Sequence, residues 1–201
     1  MARSVLYMSM SLDGFITGPD DGPGNGLGTG GERLHAWLFD GDGPARGGGG
    51  VPVIRTAAAS LPVVDEMLAT GAVVVGRRTF EHAGGWGGDH HDGVPIFVVT
   101  RTEPGADAVR GPNVHYVTDG VESAVAQAKA AAGDRDVMMH GATTAQLALR
   151  AGALDELEIH QVPVLLGAGR PLFGELEPTT LDVVRVIAAP GVTHLHYRVD
   201  R

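Results

Sequence analysis

The sequence predicts an α/β fold: a mostly parallel sheet of about eight strands, covered by helices on both faces and ending in an antiparallel C-terminal edge. Three observations carry this. Short apolar runs alternate with stretches of helical period between residues 61 and 152. Twice, at Ala72–Gly76 and Val137–Gly141, an apolar strand runs straight into a glycine and then a helix. The last two extended runs, Leu181–Ile187 and Val192–Val199, have no helix between them, so they pair antiparallel.

The elements follow in order. Val5–Met10 is a short apolar strand, and Ser11-Leu12-Asp13-Gly14 is a turn built on Asp-Gly chemistry. Gly18–Gly31, rich in Gly, Asp and Pro, is a flexible loop. Glu32–Phe39 places Leu34, Trp37 and Leu38 at spacings of three and four, the pattern of a short amphipathic helix. Gly41–Gly50 is a second glycine-rich loop. Ser60 as N-cap, Pro62 in the first turn and Gly71 as stop delimit a helix. Strand Ala72–Val75 leads into helix Arg77–Glu81, which Gly84-Gly85 ends. Strands Val94–Thr100 and Val114–Thr118 come next, and Asp119 is placed to cap the Ala-rich helix Val121–Ala132. Strand Val137–Met139, helix Thr144–Ala151 and the extended run Leu157–Val164, broken by Pro163, complete the parallel part.

Composition narrows the function. A chain of 201 residues with 43% hydrophobic residues has the material for one domain, expected to span 1–201. Aromatics make up only 5%, so aliphatic and Ala packing must fill the core. A net charge of −9 repels nucleic acid, and no Lys/Arg stripe with interleaved aromatics offsets it. Cysteine is absent, which excludes disulfides, thiolate catalysis and Cys-ligated zinc. The N-terminal residues lack a signal-peptide pattern, and no apolar run reaches the ~18 residues of a membrane span. A cytoplasmic protein acting on a small molecule, with no nucleic-acid or membrane partner, is the expectation.

The two strand-to-helix junctions carry the chemistry. A helix starting at the end of a buried strand points unpaired N–H groups and a partial positive charge at one spot, which suits a phosphate. Two junctions imply separated phosphates, as in a dinucleotide. In Gly76-Arg77-Arg78-Thr79 the glycine permits close backbone approach, the arginines offer a fork of donors, and Thr79 adds a hydroxyl. A plain helix start with solvated arginines is the other reading of those four residues. Thr100-Arg101 ends a strand with a hydroxyl and a guanidinium, groups suited to an additional phosphate. The G-x-G-x-x-G fingerprint of a Rossmann domain is missing at both junctions.

SMSLDGFI, VVVGRRTFE, FVVTR, the block Val137–Phe173 and a closing VTHLHYRV together resemble the dihydrofolate reductase-like superfamily. The branch is the one related to the C-terminal reductase domain of the bifunctional riboflavin-biosynthesis deaminase-reductase. The resemblance covers nearly the whole chain and keeps the motif order. It implies a dihydrofolate reductase-like three-layer fold, an NADPH-dependent reductase and a homodimer. Gly76, Arg77, Arg78 and Thr79 match the helix that receives the NADPH phosphates, and Gly141, Ala142, Thr143 and Thr144 match the turn that holds the pyrophosphate. Thr100 and Arg101 match the strand end near the 2′-phosphate. Ser9 and Ile16 match positions beside the nicotinamide, and Asp13 matches the S-x-D-G turn. His160 and the helix Glu32–Phe39 match the wall of the substrate cleft, where Trp37 and Phe80 are expected to bind substrate. His140 stands where the family often has the first of two glycines, so it is counted with the cofactor residues.

Asp13, Glu32 and His160 are the catalytic candidates. Asp13 is also ordinary turn chemistry, and Glu32 is also a favourable charge at a helix start. Asp89-His90-His91-Asp92 lies in a glycine-rich loop and is expected to be solvated. His194 and His196 share one face of a strand, but a pair is too few ligands, so no metal site is expected. The implied reaction is that of a 5-amino-6-(5-phosphoribosylamino)uracil reductase. Dihydrofolate reduction and a non-catalytic nucleotide-binding role are the alternatives.

Overall fold

The computed structural model describes residues 2–47 and 52–200. Among them, ten strands are formed: β1 Ser4–Ser11, β2 Phe15–Thr17, β3 Ala72–Gly76, β4 Ile96–Val99, β5 Val114–Val117, β6 Val137–His140, β7 Glu156–Val162, β8 Arg170–Pro171, β9 Leu181–Ala189 and β10 Val192–Val199. Eight make one sheet in the order β5-β4-β3-β6-β1-β7-β10-β9, and β2 pairs with β8 in a small second sheet. The first six strands of that order run parallel, and β10 is antiparallel to both β7 and β9. The helices are α1 Leu61–Leu68, α2 Arg77–His82, α3 Val121–Ala132 and α4 Ala142–Arg150. The expected α/β sheet of eight strands with an antiparallel C-terminal edge is what the chain forms.

The central strands are apolar throughout because both their faces are covered. On β3, Ala72 and Val74 join the core beneath α3 and α4, while Val73 and Val75 join Val5, Tyr7, Phe80 and Met138 on the opposite face. A chain poor in aromatics fills the first side with small residues. Ala124, Ala128 and Ala132 of α3 and Ala145 and Ala148 of α4 are buried there. The approach is close enough that a Cβ on Gly71 would lie 2.9 Å from the Ala132 backbone. A third cluster joins Leu34, Trp37, Ile54, Val64, Val162 and Val192.

Several local expectations change. The segment read as an α-helix over Glu32–Phe39 is a 3-10 helix, Gly31–Leu38. Its two buried apolar residues, Leu34 and Trp37, are three apart, which is one turn of that tighter helix. Ser60 precedes α1 but makes no capping bond. Its hydroxyl lies 2.9 Å from His194 Nε2 instead. Asp119 does not cap α3, whose N-cap is Gly120 at φ 106°. Gly18–Gly31 is tied by Gly18 N–H to the Leu27 carbonyl at 2.8 Å and by Thr29 N–H to the Pro19 carbonyl at 2.7 Å. Residues 48–50 of the second glycine-rich loop lie outside the described residues. Its first part is laid against 54–56 by Gly41 N–H to Arg55 O and Arg46 N–H to Ile54 O.

Candidate functional site

β3 and β6 are neighbours in a register that sets Val75 beside His140, so the two strand-to-helix junctions stand side by side. Each glycine is needed by the other junction's threonine. A Cβ on Gly76 would lie 2.6 Å from Thr144 Oγ1, and one on Gly141 would lie 2.6 Å from Thr79 Oγ1. Gly141 also sits at φ 94°, where a side chain is strained. The two junctions therefore make one cradle, not two separated phosphate points as their spacing in the sequence implied.

From this cradle a cleft of about 710 Å³ runs along the C-terminal ends of β6, β3, β4 and β5. Gly76, Arg77, Arg78, Thr79, Thr100, Arg101, Gly141, Ala142, Thr143 and Thr144 all line it, in agreement with where the sequence motifs converge. Thr118, Gly120, Glu122, Arg150 and Arg170 line it as well, and these the sequence reading missed. A signal existed for the first three: β5, Thr118, Gly120 and α3 are a third strand-glycine-helix junction, hidden by reading Asp119 as a cap. Arg170 arrives through the pairing of β8 with β2, which no local pattern announces.

Five arginines and one glutamate line this cleft in a chain of net charge −9. Their present partners matter. Arg77 pairs with Glu81 one turn along α2, Nε to Oε1 at 2.6 Å. Arg150 donates to the Glu175 carbonyl at 2.6 Å. Arg78 and Arg170 converge on one carboxylate, Asp21, at 2.9 and 3.2 Å. Burial alone would raise the Asp21 carboxyl, but the two guanidiniums outweigh it and hold it below the usual range. Arg101 is exposed and makes no ion pair among the described residues.

The remaining candidates are not among the residues that line this cleft. Asp13 accepts hydrogen bonds from Ser11 Oγ at 2.6 Å, Leu166 N–H at 3.1 Å and Gly167 N–H at 2.7 Å. The Ser11 hydroxyl, then the two amides, hold its carboxyl low. Both its oxygens are thus spent fastening the 166–167 backbone to the 11–14 turn. Glu32 is exposed at the start of the 3-10 helix. His160 is buried beneath Trp37, whose ring lies 4.8 Å away and whose Nε1 donates to Ser9 Oγ at 3.0 Å. Ser9 and Ile16 are buried and outside the cleft lining. Phe80 is in the core against Trp86 and Tyr116, not on a cleft wall.

His90 and His91, expected in solvent, are buried. The turn Gly84–Gly88 takes left-handed conformations at Gly85, Trp86 and Gly87 and folds the loop back onto the sheet. A chain of imidazoles results. His140 Nδ1 lies 2.9 Å from the Tyr7 carbonyl, His140 Nε2 is 3.2 Å from His90 Nε2, and His90 Nδ1 is 2.8 Å from His91 Nδ1. A carbonyl only accepts, so His140 carries its proton on Nδ1 and accepts at Nε2. His90 must then donate from Nε2 and accept at Nδ1, and His91 must donate from Nδ1. Burial pushes His140 down to about 4, and burial followed by its histidine neighbours pushes His90 well below its ordinary value. His140 therefore turns away from the cleft; Gly141 faces it.

Residues 4–195 match the RibD C-terminal domain. YwjB, an uncharacterized protein of Bacillus subtilis, is 26% identical over 189 residues, covering 89% of this chain and 86% of its own. The crystal structure of a putative riboflavin biosynthesis protein from Shewanella sp. PV-4 superposes with a TM-score of 0.70 at 25% identity over 100% of both chains. Dihydrofolate reductase from Enterococcus faecalis, solved with NADP(H), gives a TM-score of 0.53 at 14% identity, covering 100% of this chain and 97% of that one, a likeness of fold alone. No helix among the described residues is long and apolar enough to cross a membrane. The chain belongs to the RibD C-terminal domain family and has the dihydrofolate reductase-like fold.

Proposed function

We propose that this protein is an NADPH-dependent reductase of a small heterocyclic substrate, in the class of the 5-amino-6-(5-phosphoribosylamino)uracil reductases. The observation that carries the reading is the arginine-lined cleft at the C-terminal strand ends of an otherwise acidic chain. Open α/β sheets hold ligands at that edge. The donor set suits a dinucleotide: backbone N–H groups at the starts of α3 and α4, hydroxyls from Thr79, Thr100, Thr143 and Thr144, and guanidiniums along the length.

In this reading the cradle at Gly76, Gly141 and Thr144 holds the pyrophosphate, and Thr100 and Arg101 hold the 2′-phosphate. When bound, NADPH supplies the hydride. The protein contributes orientation and exclusion of water. In the same reading Ser9 and Ile16, buried outside the cleft lining, are the residues proposed to meet the nicotinamide. Trp37, hydrogen-bonded to Ser9 and packed on His160, fills the adjoining space, so a substrate reaches Ser9 only after Trp37 gives way. Asp13 acts as a positioning residue that fastens the neighbouring backbone.

A second reading, a non-catalytic nucleotide-binding protein, is favoured by one observation: the Asp13 carboxylate is taken up by Ser11 and the 166–167 backbone, and His160 is buried against Trp37. NADPH oxidation in the presence of a ribosylaminopyrimidine separates the two. Turnover supports the reductase; tight NADPH binding without turnover on any pyrimidine or pterin tested supports the second reading. We also propose a homodimer. The unpaired edge of β9 exposes Val183, Val184 and Val186, at 66%, 44% and 57%, and such an edge invites a partner. A sedimentation mass of one chain at micromolar concentration would overturn it.

A further inference from the structure

The geometry points to a divalent-cation site, suited to zinc, formed by Glu158, His160 and His194. Glu158 and His160 are two apart on β7 and so share a face. The antiparallel register of β10 sets His194 directly opposite His160. One ligand atom from each of the three lies within 4.8 Å of the others. The two imidazole Nδ1 atoms are 3.0 Å apart. A zinc ion about 2.0–2.2 Å from each ligand spaces them roughly 3–4 Å apart, so an ion here would draw in ligand atoms that already lie within 4.8 Å of one another.

The three side chains are 1%, 3% and 1% exposed, so bulk water does not satisfy them. Glu158 Oε1 has no hydrogen-bond partner among the described residues. Buried polar atoms in that condition mark a missing partner. Glu158 Oε2 is already engaged, by His196 Nδ1 at 3.1 Å and by Arg185 at 3.3 Å, which leaves Oε1 as the available ligand. The guanidinium of Arg185 is balanced by Glu66, at 2.6 and 2.7 Å. His194 has the outer support a metal-binding imidazole needs. Its Nε2 lies 2.9 Å from Ser60 Oγ, a hydroxyl that can accept the ring proton and so free Nδ1, 3.0 Å from His160 Nδ1, for a metal. Two imidazoles and a carboxylate match the ligand types zinc takes. Trp37 covers both rings, at 4.8 and 4.9 Å, and closes the site from solvent. A metal here fastens β7 to β10 beneath the 3-10 helix.

The site does not depend on the cofactor reading and is tested without nucleotide. Chelator-treated full-length protein is titrated with Zn²⁺ by calorimetry, with Mg²⁺ as control, and its melting temperature is followed. One zinc per chain, a raised melting temperature and at least tenfold weaker binding in both His194→Ala and Glu158→Gln are expected. Co²⁺ in place of zinc gives a visible ligand-field band that these variants lose. Should either variant fail to fold, Ser60→Ala, which keeps every ligand, is expected to weaken zinc binding severalfold. Absence of saturable zinc binding by the wild-type protein would overturn the proposal. So would zinc binding unchanged in the folded variants.

Discussion

Lowering the pH should unfold this protein through its buried histidines, and His140 sets the scale. In the folded chain its Nδ1 donates to the Tyr7 carbonyl and its Nε2 accepts from His90, so a second proton would face the donor of its neighbour. Burial lowers it from about 6.5 to about 4. The unfolded chain therefore takes up the proton first. The stability this neutral imidazole contributes is fully present above pH 6.5 and is lost as pH falls toward 4. At 1.36 kcal/mol per unit the loss at pH 4 is about 3 kcal/mol, a large share of the roughly 5–15 kcal/mol of a typical domain. The assay is urea unfolding from pH 7.5 to pH 4 for the wild-type protein and for His140→Gln, which keeps a donor for the Tyr7 carbonyl but does not titrate. The wild-type profile should fall more steeply than the variant's, by about 3 kcal/mol across the window. Parallel profiles would refute the neutral, directional chain.

Other substitutions test other joints. Asp21→Asn removes the carboxylate that now holds Arg78 and Arg170, so NADPH affinity should rise severalfold by calorimetry; a fall would show that Asp21 instead holds these arginines in the binding position. Gly141→Ala puts a methyl 2.6 Å from Thr79 Oγ1 at a left-handed backbone position; it should weaken NADPH binding at least tenfold while the circular dichroism stays that of a folded protein. Phe80→Ala should cost about 3–5 kcal/mol in urea unfolding, as a core residue does, and leave nucleotide affinity within twofold.

Much of the fold could be read from the chain because the pattern that identifies a parallel strand is local. Val73, Val74 and Val75 are apolar in succession only because helices or core cover both faces of β3. The cleft-lining groups Gly76 to Thr79, Thr100 with Arg101, and Gly141 to Thr144 were legible for a related reason: each sits where such a strand ends. What was not legible depends on long-range pairing. Asp21, Arg78 and Arg170 are scattered along the sequence and meet only after β8 pairs with β2. His90 looked solvated because its loop is glycine-rich, yet those glycines supply the left-handed turn that buries it. Ser60 looked like a cap because of its neighbours, and its hydroxyl went to His194, 134 residues away. The Glu158, His160 and His194 cluster depends on the register between β7 and β10, which periodicity alone does not set.

In the proposed function the arginine-lined cleft binds NADPH and reads its 2′-phosphate at Thr100 and Arg101. Calorimetric titration of the wild-type protein and of Arg101→Ala with NADPH and with NADH tests it most directly. The wild-type protein is expected to bind NADPH at least tenfold more tightly than NADH, and Arg101→Ala to remove most of that difference while leaving NADH binding nearly unchanged. Equal binding of the two nucleotides by the wild-type protein, or no binding of either at millimolar concentration, would contradict it.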